Sequence, residues 1–215
     1  VVLGPPLKTF TKDRRMTKKS AVGSDRARQV LAQEAARIIV EQGIADFRVA
    51  KTKAAERLGM STQGVLPNNS EIEAAISNHL LLFGGESHID LLQNLRRSAI
   101  AAMEVLSQFE PRLVGPVLQG TAGANTTINL HVFTDTPERV AFRFDELVLS
   151  YKPFERRLKS RRDQVETYAG FRFLQDDWTV EATVFPVDGM RQAPISPVDG
   201  RPMKRADQSS VERLL

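Results

Sequence analysis

Two strand-patterned stretches of this sequence place oxygen-bearing side chains among apolar neighbours. In one, Ile128, Leu130 and Val132 alternate with Asn129 and His131; in the other, Val180, Ala182 and Val184 alternate with Thr179, Glu181 and Thr183. Period 2 sends residues i and i+2 to the same face, so Thr127 and Asn129 share a side. Glu181 is a carboxylate flanked by apolar residues. Ahead of Thr127 runs a loop of small and hydroxylic residues containing Gly115, Gly120 and Gly123. Glycines there permit positive φ and let the backbone approach a ligand closely. The pattern is that of a binding loop followed by a strand.

The spacing from Gly115 to Leu130 resembles the signature of the nucleotidyltransferase superfamily. In that signature a Gly-Ser pair and a Gly-Thr-Ala or similar turn precede a Ser-Asp-x-Asp strand. Gly115 matches the first glycine, Gly120-Thr121-Ala122 the turn, and Thr126 to Leu130 the strand. Pro116 stands in place of the serine, and Thr127 and Asn129 in place of the two aspartates. The resemblance implies phosphate contacts from Gly115, Gly120, Thr121 and Thr126. It also implies chemistry in which two divalent cations sit on carboxylates and stabilise the leaving pyrophosphate. Glu181 falls where the family's third acidic residue is expected, so Glu181, Asn129 and Thr127 are the candidate catalytic positions. Magnesium prefers charged oxygen ligands, and Thr127 and Asn129 supply oxygen without charge. Pro116 further removes a hydroxyl and a backbone N–H from the phosphate loop. No residue is therefore assigned as a metal ligand. The expectation is a degenerate nucleotidyltransferase-like protein that binds a nucleotide, an RNA or a protein partner at the Gly115–Asn129 loop and strand. The alternative is an active enzyme that uses magnesium, Glu181 and substitute ligands.

The elements around this stretch follow from periodicity. Apolar residues at three- and four-residue intervals predict helices from Asp25 to Gly43, from Phe47 to Leu58, from Ser70 to Phe83 and from Ser87 or His88 to about Phe109. Ser70 and Glu73 fit a capping box. After Pro111 the pattern changes to strands at Leu113-Val114, Ile128–Phe133, Tyr151–Leu158, Gly170–Leu174 and Trp178–Phe185. Asp176-Asp177 reads as a hairpin turn. A helix is expected from Thr136-Pro137 to about Leu147, and another from about Ser209. The fold class is α+β, a helical unit over residues 25–110 followed by a nucleotidyltransferase-like domain with a small mixed sheet over 111–215. Ala54–Ser61 looks like the entry to a helix-turn-helix, but Gly64 and Pro67 interrupt the second helix that DNA binding needs.

Charge is unevenly spread. Residues 1–28 hold eight Lys/Arg against Asp13 and Asp25, a net of +6, and the rest of the chain nets −2. Residues 1–24 read as a disordered basic tail, either solvated or attracted to nucleic acid. The run Lys152 to Arg162 has six cations with Glu155 its lone acid. Arg157 shares a strand face with Lys159 and Arg161 there. The run is either an edge strand blunted by charge or a phosphate and RNA-backbone surface. Gly189 to Ala206 is long for a structureless segment, and its Arg191 could grip a phosphate, although a proline-stiffened wrap over the sheet explains it equally well. The absence of cysteine excludes disulfides and thiolate chemistry, and a cytoplasmic protein is expected. The opening residues lack the apolar region of a secretory signal, and no apolar run is long enough for a membrane span.

Overall fold

The periodicity of the first half is realised as four helices: α1 (Arg14–Gln42), α2 (Phe47–Arg57), α3 (Asn69–Phe83) and α4 (Gly85–Val105). The computed structural model describes residues 14–44, 46–61, 66–161 and 164–215, with side chains from Ser24 onward. Because α1 begins at Arg14, the second part of the expected tail is helical; residues 1–13 lie outside the described residues. Helix α2 is capped by the Asp46 carboxylate, which accepts from the backbone N–H groups of Arg48 and Val49. The capping box of α3 belongs to Asn68 and Glu71 rather than to Ser70 and Glu73. Asn68 Oδ1 accepts from Glu71 N at 2.8 Å, and Glu71 Oε2 accepts from Asn68 N at 2.7 Å. Asn caps as well as Ser does. The Ser70 hydroxyl instead donates to the Val198 carbonyl at 2.9 Å.

The second half forms a five-stranded sheet of β1 (Arg112–Val114), β2 (Ile128–Phe133), β3 (Tyr151–Arg161), β4 (Gln164–Gln175) and β5 (Trp178–Phe185). The order is β1-β2-β5-β4-β3, with β2 and β5 parallel and every other pair antiparallel. The fold is thus α+β, helices first and then a mixed sheet. Helices α5 (Pro116–Gln119) and α6 (Glu138–Glu146) interrupt the strands, and α7 (Gln208–Glu212) follows them. Asp176 and Asp177 both take positive φ, 48° and 68°, which a two-residue hairpin turn demands.

Burial falls into two clusters. Leu31, Ala35 and Ile38 of α1 pack with Ala54 of α2 and with Ile72 and Ile76 of α3. Leu95, Ala99 and Met103 of α4 instead join the sheet core, against Leu130, Val180, Ala182 and Phe173, with Phe144 of α6 beside them. The four helices therefore serve two cores, α1 to α3 one and α4 the other. The end of α1 backs the glycine loop closely: a Cβ on Gly123 would lie 2.9 Å from the Val40 carbonyl oxygen. No helix among the described residues is long and apolar enough to cross a membrane.

The cap assignment is open to measurement. Asn68→Ala should cost about 1 kcal/mol in chemical denaturation, the usual cost of losing an N-cap. Glu73→Ala should leave the midpoint within experimental error. An equal loss in both variants would contradict the Asn68–Glu71 box.

Candidate functional site

At the start of the site the chain turns at Gly115, whose φ of +76° is strained for any residue with a side chain. It enters α5 with Pro116 in the first turn, where a missing N–H costs nothing. Gly120, at φ +80°, ends that helix, and the loop returns to β2. The Thr126 hydroxyl accepts from Gly123 N at 2.8 Å, so it braces its own loop. Val114 pairs with Asn129 across β1 and β2, and a Cβ on Gly115 would sit 3.8 Å from Asn129 Nδ2. Gly115 and Asn129 do meet. Asn129 Nδ2 donates to the Thr127 carbonyl at 2.9 Å, which orients the amide.

Strand register brings Glu181 to the same place. Asn129 pairs with Glu181 across the parallel β2 and β5, and Arg172 pairs with Glu181 across β4 and β5. Only 8% of Glu181 is exposed. Its carboxylate is gripped from both sides: Arg172 Nε donates to Oε1 at 2.9 Å, and the Arg156 guanidinium donates to Oε2. The other terminal nitrogen of Arg156, Nη1, donates to Asn129 Oδ1 at 2.9 Å. Both guanidinium carbons lie over the Phe154 ring, 5.3 Å and 5.9 Å from its centroid. Phe154 can lie there because its cross-strand partner is Gly170, whose Cβ would fall 2.4 Å from the ring. The Arg156 side chain is 27% exposed and that of Arg172 52% exposed, so the cluster opens to water through its cations.

The other candidate positions lie elsewhere. Thr127 adjoins the cluster through its carbonyl. Gly120 faces α4, with its oxygen 3.3 Å from His88 Nε2. Thr121 lines a cleft with Ser70, Glu73 and Lys204. Arg157 is exposed on the opposite side of β3 from Arg156, as strand alternation requires. Arg191 is exposed at the end of the 3-10 turn Val187–Met190. Asn129, Glu181 and Gly115 are therefore united, and Gly120, Thr121, Arg157 and Arg191 are not. Neither a family model nor a curated protein matches the chain. The residues and their geometry alone carry the functional reading.

Arg156 entered the sequence reading as part of a basic run, and Arg172 was not singled out. Arg172 was nonetheless countable. From the two-residue turn at Asp176-Asp177, Gln175 pairs with Trp178, and three steps further Arg172 meets Glu181. The contact of Arg156 with Glu181 skips over β4 and has no such local signal. The magnesium implied by the family resemblance does not fit this donor set. The one carboxylate is already shared by two guanidinium groups, its neighbours Thr127 and Asn129 are neutral, and no cluster of three His, Asp or Glu among the described residues could hold a metal ion.

Beside this cluster, the C-terminal segment is pinned onto the same sheet face by Arg205. Its Nε donates to His131 Nδ1 at 3.0 Å, its Nη1 donates to the Gly189 carbonyl at 2.8 Å, and it stacks over Phe133 and Phe185. Burial pushes the Arg205 guanidinium down to about 10, and the charge of Arg112 contributes. His131 is 1% exposed, and burial, then Arg205 and Arg156, hold its imidazole well below the ordinary value.

Two expectations follow. In the unfolded chain His131 takes up a proton below about pH 6.5, whereas the folded chain keeps it neutral, so stability should fall as pH drops through that range. His131→Gln should flatten that dependence in urea titrations, and an unchanged slope would contradict the buried neutral imidazole. Glu181→Gln leaves two guanidinium groups facing each other and should cost about 1–3 kcal/mol, below the figure for fully buried pairs because both arginines reach water.

Proposed function

We propose that this chain is a nucleotidyltransferase-like binding module that holds the phosphate groups of a nucleotide beside Gly115 and Asn129, without metal chemistry. The observation that carries this reading is the double grip on Glu181 by Arg156 and Arg172. Two guanidinium groups and one carboxylate leave an excess positive charge, and Lys152, in register with Arg172, adds another on the same face. Planar guanidinium forks match phosphate oxygens bidentately. Because Glu181 already holds both forks in place, little side-chain ordering remains to be done when a phosphate arrives. Arg172, half exposed, binds Glu181 through Nε and Nη2 and keeps Nη1 to offer to a phosphate without leaving the carboxylate. Gly115 leaves the backbone beside Asn129 free of a side chain.

Arginine recognition differs from metal-bridged recognition in one measurable respect. Calorimetric titration with ATP and GTP should give the same affinity in magnesium and in EDTA. Arg156→Ala and Arg172→Ala should each weaken binding about tenfold or more, a change of about 1.4 kcal/mol. Binding that requires magnesium, or labelled nucleotide transfer that disappears in both EDTA and Glu181→Gln, would overturn the reading in favour of a metal-dependent transferase.

A further inference from the structure

The apolar stripe of α3 runs on past the helices that cover it. Ile72, Ile76 and Leu80 are buried in the core shared with α1 and α2, and Phe83 is the next residue at helical spacing. Yet Phe83 is 75% exposed, and beside it in the last turn Leu81 and Leu82 are 82% and 73% exposed. Ile89, one turn into α4, is 56% exposed. Single apolar side chains on a surface need no explanation, whereas a cluster rimmed by polar groups marks a docking surface. The rim here is acidic. Glu86 and Asp90 are exposed one turn apart on α4 and, among the described residues, have no ion-pair partner. Residues 69–95 hold four acids and no Lys or Arg.

The complementary chemistry lies in the chain itself. Leu7 and Phe10 are set among Lys8, Lys12, Arg14 and Arg15, with Asp13 the one acid between them. Residues 1–13, outside the described part of the chain, join it at Arg14, the start of α1. Helices α1 and α3 run in the same direction. Arg28 pairs with Glu71 toward one end, and at the other Val40 backs Gly123 while His88 Nε2 lies 3.3 Å from the Gly120 oxygen. Arg14 therefore stands ~21 Å up the α1 axis from the Arg28–Glu71 pair, and Phe83 ~18 Å down the α3 axis from it. Leu7 is seven residues ahead of Arg14 and reaches at most ~25 Å from it, short of the ~39 Å between Arg14 and Phe83. Leu7 and Phe10 thus cannot meet the patch of their own chain, but those of a second copy can.

We propose that residues 7–15 of one copy dock on the patch of Leu81, Leu82, Phe83 and Ile89 of a second copy, which returns the contact. Leu7 and Phe10 cover the apolar side chains, while Lys8, Lys12 and the arginines that follow meet Glu86 and Asp90. Packing patch directly on patch is the poorer solution. It brings the acids of both copies together, and four side chains fall far short of the roughly 20–30 residues a side of a standard interface. Exchange uses segment and patch twice each, joins opposite charges and closes after two copies. None of these residues belongs to the Glu181 cluster, so the proposal does not depend on the nucleotide reading.

Sedimentation velocity of the nuclease-treated full chain, over a concentration series, should show a monomer–dimer equilibrium. Leu82→Asp/Phe83→Asp in the patch and Leu7→Asp/Phe10→Asp in the segment should each sediment as monomers. A one-to-one mixture of these two variants should dimerise again, more weakly than the parent, because one intact segment still meets one intact patch. Misfolded chains could not complement in this way, so the mixture separates lost docking from lost structure. Glu86→Lys/Asp90→Lys should weaken dimerisation about tenfold, and adding Lys8→Glu/Lys12→Glu to the same chain should recover it. A parent chain that is monomeric at every concentration would overturn the proposal, as would a mixture that stays monomeric. A dimer that survives in the segment variant and is lost in the patch variant would replace it with patch-on-patch packing. Association seen only before nuclease treatment would also overturn it, since nucleic acid would then bridge the copies.

Discussion

A nearly buried carboxylate on the central strand of the sheet governs the arrangement of the rest. Removing the Glu181 charge from water costs several kcal/mol unless partners replace the lost hydration. Here the partners come from two other strands, Arg172 on β4 and Arg156 on β3, while Asn129 on β2 completes the set. Four adjacent strands are thereby tied to one register. A slip of one residue in β4 would turn Arg172 toward the apolar core and leave the carboxylate half-paired. The contribution to net stability is modest, because well-packed apolar residues do as well as buried ion pairs. Its contribution to specificity is larger, since no other register satisfies it.

The same constraint divides the sheet into two unlike faces. Leu130, Val180, Ala182 and Phe173 face α4 and α6 and make the main core. Asn129, His131, Glu181 and Thr183 face the other way, and the C-terminal segment with the 3-10 turn Val187–Met190 crosses that face near His131. Arg205 fastens the segment by bonding His131 and the Gly189 carbonyl at once. A neutral imidazole is needed there, because a protonated Nδ1 could not accept from an arginine. Burial and the nearby cations both keep it neutral. The long proline-bearing segment that looked structureless by pattern is thus the cover of the polar face, at least around His131.

What was legible in the sequence was local. The alternation in Ile128–Phe133 and Trp178–Phe185, the turn at Asp176-Asp177 and the four helical periodicities each depend on near neighbours, and each element is present, with α1 starting at Arg14 rather than at the expected Asp25. The cap of α3 was displaced by two residues because Asn68-Glu71 and Ser70-Glu73 satisfy the same pattern. A contact with Val198, distant in sequence, settles how Ser70 is used. The assignment of α4 to the sheet core was hidden for a related reason: its apolar stripe states that a face is buried, not against what. Within the site, Gly115, Asn129 and Glu181 were found from spacing and family resemblance, and they do converge. The arginines that decide its chemistry were missed because their meaning depends on strand pairing. Arg156 beside Glu181 is a fact about β3 and β5, which are not neighbours in the sheet.

Substituting arginines for metal ions need not change what a phosphate experiences. In the site that the family resemblance implies, three carboxylates and two divalent cations leave about one net positive charge facing the triphosphate. Glu181 with Arg156 and Arg172 leaves the same net charge, with fewer charges of either sign. The two arrangements differ in what they do next. A bridging cation activates the attacking hydroxyl and follows the leaving pyrophosphate, and its strength depends on bare coordination positions. A guanidinium has no such positions and cannot lower the pKa of a bound hydroxyl by coordination. It orients phosphate oxygens through fixed N–H donors and keeps its charge at any physiological pH. The neutral residues at Thr127 and Asn129 and the cations at 156 and 172 are therefore coupled features on the proposed reading. With aspartates at 127 and 129 the arginines would be needed to offset three carboxylates and could not also face a phosphate. With the neutral pair, a single carboxylate suffices to hold both arginines, and their remaining donors are free to bind.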